Sequence, residues 1–322
     1  MIRNPGPFSA SDLPISPEGK AYHLDIKPEN LAKDIIIVGD PGRAAAMGKE
    51  YLKKGYFNRE HRGLRTVTGY TKDTNQRVSF VTSGMGTPSL EIVLQEIVAL
   101  NEIDIETKMR KDSWDHINII RVGTTGGLIG ETALGMPLIT EYAVGMDNTG
   151  LFYDIPPPDD NCRNLKKLVG PTIDDLIPNE SEYKGTIKPY VSMATPAVVD
   201  ALERSADVYD VDYKKGITVS SSGFFANQGR HIARIAPTVK DIDEAFTNLD
   251  PEIEGLRFEN MEMEASFLLH FMGGLGYSTG CICPAIANRR EDTFDHAYEQ
   301  NIMSAGKVAL GALYDLRQQQ TD

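Results

Sequence analysis

An arginine closing an apolar run is the first residue whose position suggests chemistry. Ile117, Ile119, Ile120 and Val122 read as a short buried strand, and Arg121 interrupts it just before Gly123-Thr124-Thr125-Gly126-Gly127. A guanidinium there is costly unless an anion meets it. The small residues behind it can bring backbone N–H groups and two hydroxyls close to an oxyanion. The stretch reads either as an anion site at the carboxyl end of a strand, where open α/β sheets place ligands, or as an internal Arg–carboxylate pair before an ordinary turn. A second turn of this kind, Gly39-Asp40-Pro41-Gly42-Arg43, follows the apolar strand over 35–38 and leads into a helix over 44–51. Its plainer reading is a strand-to-helix loop with a solvated arginine.

A third group could read a planar ligand. Phe224 and Phe225 precede Gln228 and Arg230, which are two residues apart. An aromatic ring can cover a heterocycle, Gln offers a donor and an acceptor, and Arg offers a planar fork of donors. Together they suit the edge of an oxo-substituted base, although a surface loop with a buried Phe fits as well. Glu262-Met263-Glu264 opens a helix over 265–272; carboxylates are favoured in a first turn whatever their role, and methionines can line a pocket. His23 beside apolar residues and Arg62 in the charged turn Arg59–Gly63 carry little weight alone. Gly84-x-Gly86-x-x-Ser89 is an imperfect dinucleotide fingerprint with Asp104 about 20 residues on. No apolar strand precedes Asp104, so these glycines read better as close backbone packing.

The elements that must position these residues alternate. Strands are expected over 64–70, 77–82, 137–144, 185–193, 216–222 and 279–287, and helices over 88–101, 164–177, 196–205 and 296–318. The charged segment 102–115 reads as an insertion and 154–161, with three consecutive prolines, as a loop. Residues 1–20, rich in Pro, Gly and Ser, read as an extended arm before one domain over 21–322. Alternating strands and helices point to a three-layer α/β domain.

Composition narrows the partners. A chain of 322 residues with 41% hydrophobic and 25% charged residues can bury a sizeable core. A net charge of −13 argues against nucleic acid or an anionic membrane, so an anion site must be built locally. Three cysteines give no disulfide framework, and no apolar run is long enough to span a bilayer; both suit the cytoplasm. Cys281 and Cys283 lie in an apolar run without ligand-spaced partners, so no metal is expected.

Taken in order, Val38-Gly39-Asp40-Pro41-x-Arg43, His61-Arg62, Ser83-Gly84-Met85-Gly86-x-Pro88-Ser89, Arg121-x-Gly123-Thr124-Thr125-Gly126, Phe224-x4-Gln228-x-Arg230, Glu262-Met263-Glu264 and Asn288-Arg289 resemble the uridine phosphorylases of the nucleoside phosphorylase superfamily, over roughly residues 20–315. The resemblance implies an α/β fold with a central mixed, partly barrel-like β-sheet flanked by helices. It implies phosphorolysis of uridine, with 2′-deoxyuridine or thymidine open, to uracil and ribose 1-phosphate in pyrimidine salvage. It needs no cofactor, inorganic phosphate being the co-substrate. Gly39, Arg43, Arg121 and Thr124 would hold phosphate, with Arg62 completing the site from a neighbouring subunit. His23 would reach across to the ribose, Glu262, Met263 and Glu264 would bind or pack on the sugar, and Phe224, Gln228, Arg230 and Arg289 would hold the base. Arg121, Arg230, Gln228 and Glu264 would carry the catalysis. The family forms homo-oligomers with shared sites, with a dimer as the minimal unit and a hexamer open. Gly63 stands where bacterial members carry a Glu that helps hold a monovalent cation, which implies no such ion here. Asn288 stands where purine-specific members carry an Asp. Two readings from other classes remain: a dinucleotide-binding oxidoreductase built on Gly84–Ser89, and a non-catalytic nucleoside-binding protein.

Overall fold

The computed structural model describes residues 6–320. The expectations for residues 1–5 of the arm and for 321–322 lie outside the described residues. The chain clusters into two compact units, one of residues up to Met85 with Ser89–Ile119, the other of Gly86–Pro88 with everything from Ile120 onward.

In the first unit, β1 (Asp34–Val38) is buried along its whole length, as four consecutive β-branched residues require. It is followed by α1 (Pro41–Tyr51), then by β2 (Phe57–His61), β3 (Leu64–Tyr70) and β4 (Arg77–Thr82). β1 runs parallel to β4, which pairs antiparallel with β3, which pairs antiparallel with β2. The segment read as a charged turn thus contains a strand. β2 is exposed at Asn58, Arg59 and Glu60, which removes the apolar signal that marks a strand. Arg62 and Gly63, which join β2 to β3, both have positive φ (53° and 76°), as a two-residue type I′ hairpin needs.

Helix α2 (Thr87–Glu102) leads into the inserted segment, which forms a small hairpin of β5 (Ile103–Asp104) and β6 (Met109–Arg110). Arg110 pairs with Glu102 and lies over the rings of Phe8 and Trp114. Residues 6–20 turn back instead of running extended. Leu13 packs on Ala99 and Ile103, with Phe8 and Ile15 beside it, because these apolar side chains find cover there.

Strand β7 (Asn118–Val122) carries the chain onward, and β8 (Thr125–Gly127) follows. The second unit is built on a closed barrel of five strands: β8, β9 (Pro137–Gly145), β11 (Lys214–Ser220), β12 (Phe258–Glu262) and β13 (Ser278–Asn288). β9–β11, β11–β12 and β8–β13 are parallel, whereas β12–β8 and β13–β9 are antiparallel. β10 (Tyr190–Met193) adds to the free side of β9, and β14 (Thr293–Phe294) pairs with β13. The expected mixed, barrel-like sheet is therefore present. Helices α3 (Asp160–Asp175), α4 (Pro196–Val208), α5 (Ile242–Asn248), α6 (Ala265–Gly274) and α7 (Glu299–Gln319) complete the unit. α4 packs against β9, β13 and α7, and α6 against β9, β10 and β13.

Strand β12 corrects the sequence reading most sharply, because Phe258–Glu262 was expected as the approach to a helix. Its sequence FENME is buried at every position. Its polar side chains find partners on other strands: the Asn260 amide donates to Thr125 Oγ1 at 2.7 Å, and Glu262 receives Arg121. Polar residues satisfied by distant strands leave no alternation to read. The strand expected over 185–193 is real only from Tyr190, and α5 went unseen between two loops.

Candidate active site

Glu262 organises the second unit's polar interior. Its carboxylate accepts from Arg121 Nε at 3.0 Å, from the Ser220 hydroxyl, from the Glu264 N–H at 2.8 Å and from the Ala265 N–H at 3.0 Å. The Glu264 carboxylate takes Arg121 Nη2 on Oε2 and the Gly86 N–H on Oε1 at 2.5 Å. Of the two expectations for Arg121, the internal pair is the one present. The buried Nη1 of Arg121 has no hydrogen-bond partner among the described residues. Burial opposes the charge, but Glu264 and Glu262 outweigh it and hold the guanidinium protonated more firmly than usual. Gly123 is glycine because a Cβ would lie 2.6 Å from Arg121 Nη2. The chain after the strand thus closes on the guanidinium, with Thr124 partly exposed beside it.

The loop from Phe224 to Arg230 is fixed by its own hydrogen bonds. Gln228 is 2% exposed, and its Nε2 donates to the Glu262 carbonyl at 3.3 Å. Arg230 Nη1 donates to Gln228 Oε1 and to the Phe224 carbonyl, both at 2.7 Å, and its guanidinium stacks over the half-exposed Phe224 ring at 4.1 Å. Arg289 donates to the carbonyls of Gln228 and Gly229 and pairs with Asp243 at 3.1 Å. Burial and the neighbouring Arg289 push Arg230 down to about 10, so it stays a cation at neutral pH. Met263, partly exposed, reaches Gly86 with its methyl. Asp243 escaped the sequence reading because it sits on the unrecognised α5.

Asn288 is buried and saturated. Its Nδ2 donates to the carbonyls of Ile129, Gly130 and Thr132 at 2.9, 3.1 and 2.8 Å, and its Oδ1 accepts from the N–H groups of Arg290 and Glu291. It ties the end of β13 to the 129–132 turn and has no proton to give. Asn288→Ala strands several carbonyls and is expected to lower stability by about 1–3 kcal/mol, which a thermal melt checks; an unchanged melting temperature contradicts the assignment.

In the first unit, Asp40 caps α1 by accepting from the Arg43 N–H at 3.0 Å, with Pro41 in the first turn. Gly39 and Arg43 are partly exposed at that turn. Two segments far apart in sequence, 22–23 and 61–62, meet at another corner. Arg62 Nη1 donates to the Tyr22 hydroxyl at 2.9 Å, and His61 Nδ1 lies 3.0 Å from the His23 carbonyl. Glu96, which sequence reasoning passed over, holds His23: its carboxylate contacts Nδ1 at 2.8 Å and accepts from the N–H groups of His23 and Leu24. Nothing local marked Glu96, because the same helix also carries Glu91 and Glu102. Gly84 of the imperfect fingerprint packs against Ser89, whose hydroxyl donates to the Ser83 carbonyl. Gly84 therefore serves packing, whereas Gly86 has a positive φ (82°) and gives its N–H to Glu264.

An arginine clamped by two carboxylates with one nitrogen unpartnered among the described residues, and a Gln–Arg edge tied to the Glu262 carbonyl, are the chemistry-bearing groups of the second unit. The profile of the phosphorylase superfamily matches residues 33–315, and the chain belongs to that superfamily. It is 27% identical to a uridine phosphorylase of Thermococcus kodakarensis over 95% of this chain and 91% of that one. A purine nucleoside phosphorylase of the DeoD type from Thermoanaerobacter is 33% identical, but over only 34% of this chain and 40% of that one. Among solved structures, a Trypanosoma brucei nucleoside phosphorylase described as showing uridine phosphorylase activity superposes with a TM-score of 0.85 at 29% identity, covering 94% of this chain and all of that one.

Proposed function

We propose that the protein is a uridine phosphorylase, a pentosyltransferase that cleaves uridine with inorganic phosphate to uracil and ribose 1-phosphate. The observation that carries this reading is the spare Nη1 of Arg121 beside the Gln228–Arg230 edge. Phosphorolysis needs a phosphate held behind C1′, an oxocarbenium-like sugar and help for a base leaving with negative charge. Gly39, Arg43, Arg121 and Thr124 bind the phosphate, and Arg62 joins them from a neighbouring subunit. Holding the nucleophile in line can lower the barrier by ~7–11 kcal/mol. Glu264 fixes the 2′- and 3′-hydroxyls and its charge favours a cationic sugar, with Met263 against the ring and His23 of the neighbouring subunit at the 5′-hydroxyl. Gln228 and Arg230 take up charge on the pyrimidine oxygens, Arg289 supports their loop, and Phe224 covers the base. No cofactor or metal enters this scheme. Uridine turnover that requires added phosphate tests it.

The same reading makes the working unit a homo-oligomer, at least a dimer, acting in the cytoplasm. Neither Arg62→Ala nor Arg230→Ala subunits should be active alone, but mixing them should restore activity, because one site of a hybrid dimer is unmutated. A monomer with full activity in light scattering and assay contradicts the shared site.

A further inference from the structure

We propose that Ser220 is a positioning residue for phosphate, acting through Glu262 on Arg121. The proposal rests on the reading of Arg121 as a phosphate ligand. Ser220 ends β11 directly opposite Glu262 of β12, and the pairing comes from an irregularity between Ile217 and Thr218. Ile217 lies opposite Phe258 and Thr218 opposite Asn260, so the strand skips Glu259. Without that skip Ser220 would face Met261 and its hydroxyl would miss the carboxylate.

The hydrogen bonds around Ser220 run in one direction. The Ser266 N–H in the first turn of α6 donates to Ser220 Oγ at 2.9 Å, which leaves the hydroxyl proton for Glu262 Oε1. Ser266 is itself held, its hydroxyl lying 3.1 Å from the Tyr190 hydroxyl, which donates to Asp147 at 2.6 Å. Glu262 Oε2 then fixes Arg121 through Nε. A guanidinium held at Nε and Nη2 can turn neither about its axis nor in its plane, so Nη1 is offered to the anion in one orientation. Ser220 is completely buried and touches no substrate; its influence reaches the reaction only through this relay.

Ser220→Ala removes the hydroxyl donor to Glu262 and also the acceptor of the Ser266 N–H, so its melting temperature is read beside its kinetics. We expect its KM for phosphate to rise by up to about 10²-fold, the scale set by small misplacements of a reacting group, with the KM for uridine unchanged. Ser220→Cys, nearly isosteric with a weaker donor, should fall between Ser220→Ala and the parent, and keeps the test open should the alanine variant fail to fold. Arg121→Lys serves as the control. If Arg121→Lys raises the phosphate KM and neither Ser220 variant does, the relay is overturned while the phosphate site stands. Equal rises in the KM values for phosphate and uridine, or a loss of kcat that merely follows a lowered melting temperature, also overturn it. If Arg121→Lys leaves the phosphate KM unchanged, the phosphate reading itself fails and the relay with it.

Discussion

Replacing Arg121 by lysine is expected to lower kcat/KM for phosphate by about 10²–10³-fold, the usual loss when one donor to a developing oxyanion is removed. Lysine keeps the charge that Glu262 and Glu264 need, so the fold should survive. It cannot place separate donors on both carboxylates and on an anion, as the guanidinium does through Nε, Nη2 and Nη1. Arg121→Ala is a different experiment. It leaves two buried carboxylates without their cation, and breaking a buried pair in this way costs about 3–5 kcal/mol. Its inactivity would mix lost chemistry with lost stability. Steady-state kinetics on Arg121→Lys, with the melting temperature as a check, isolates the chemistry; a phosphate kcat/KM equal to that of the parent rules out the clamp.

The second large effect concerns the base. Gln228 is buried and its amide is fixed from both ends, Oε1 by Arg230 and Nε2 by the Glu262 carbonyl. Such an edge cannot turn to suit a different partner. Uracil offers carbonyl oxygens to these donors, whereas cytosine replaces one with an amino group and sets donor against donor. A site built for hydrogen bonding rejects a partner that leaves buried groups unpaired by up to ~10⁴–10⁵. Cytidine is therefore expected to turn over ~10⁴-fold less efficiently than uridine, with 2′-deoxyuridine and thymidine in between. Inosine and adenosine are expected to fail because Asn288, saturated by backbone groups, has no proton for a purine N7. Measuring kcat/KM across this panel at fixed phosphate decides the matter. Purine nucleosides cleaved as fast as uridine, or Gln228→Ala cleaving uridine like the parent, contradict the assignment.

What could be read from the sequence follows from where each signal is stored. Arg121 was conspicuous because a charge inside an apolar run is locally anomalous. Its two carboxylates were also visible as Glu262-Met263-Glu264, but nothing local linked residues about 140 positions apart. The strands β1, β3 and β4 carry their own apolar pattern and were legible almost to the residue. β12 was not, because its polar side chains are satisfied by Thr125 and Arg121 on other strands. Glu96 and Asp243 were missed for the same reason: each matters only through a partner that the fold supplies, His23 in one case and Arg289 in the other. The closing of the barrel by β9 with β13 likewise leaves no trace in either strand's own sequence.

The most direct test of the whole account is the product balance of one reaction. Purified protein, uridine and inorganic phosphate should yield uracil and ribose 1-phosphate in equal amounts, followed by ultraviolet absorbance and phosphorus NMR, and omitting phosphate should stop the reaction. Uracil released without phosphate, with free ribose as the other product, would contradict it, and so would no cleavage of uridine at any phosphate concentration.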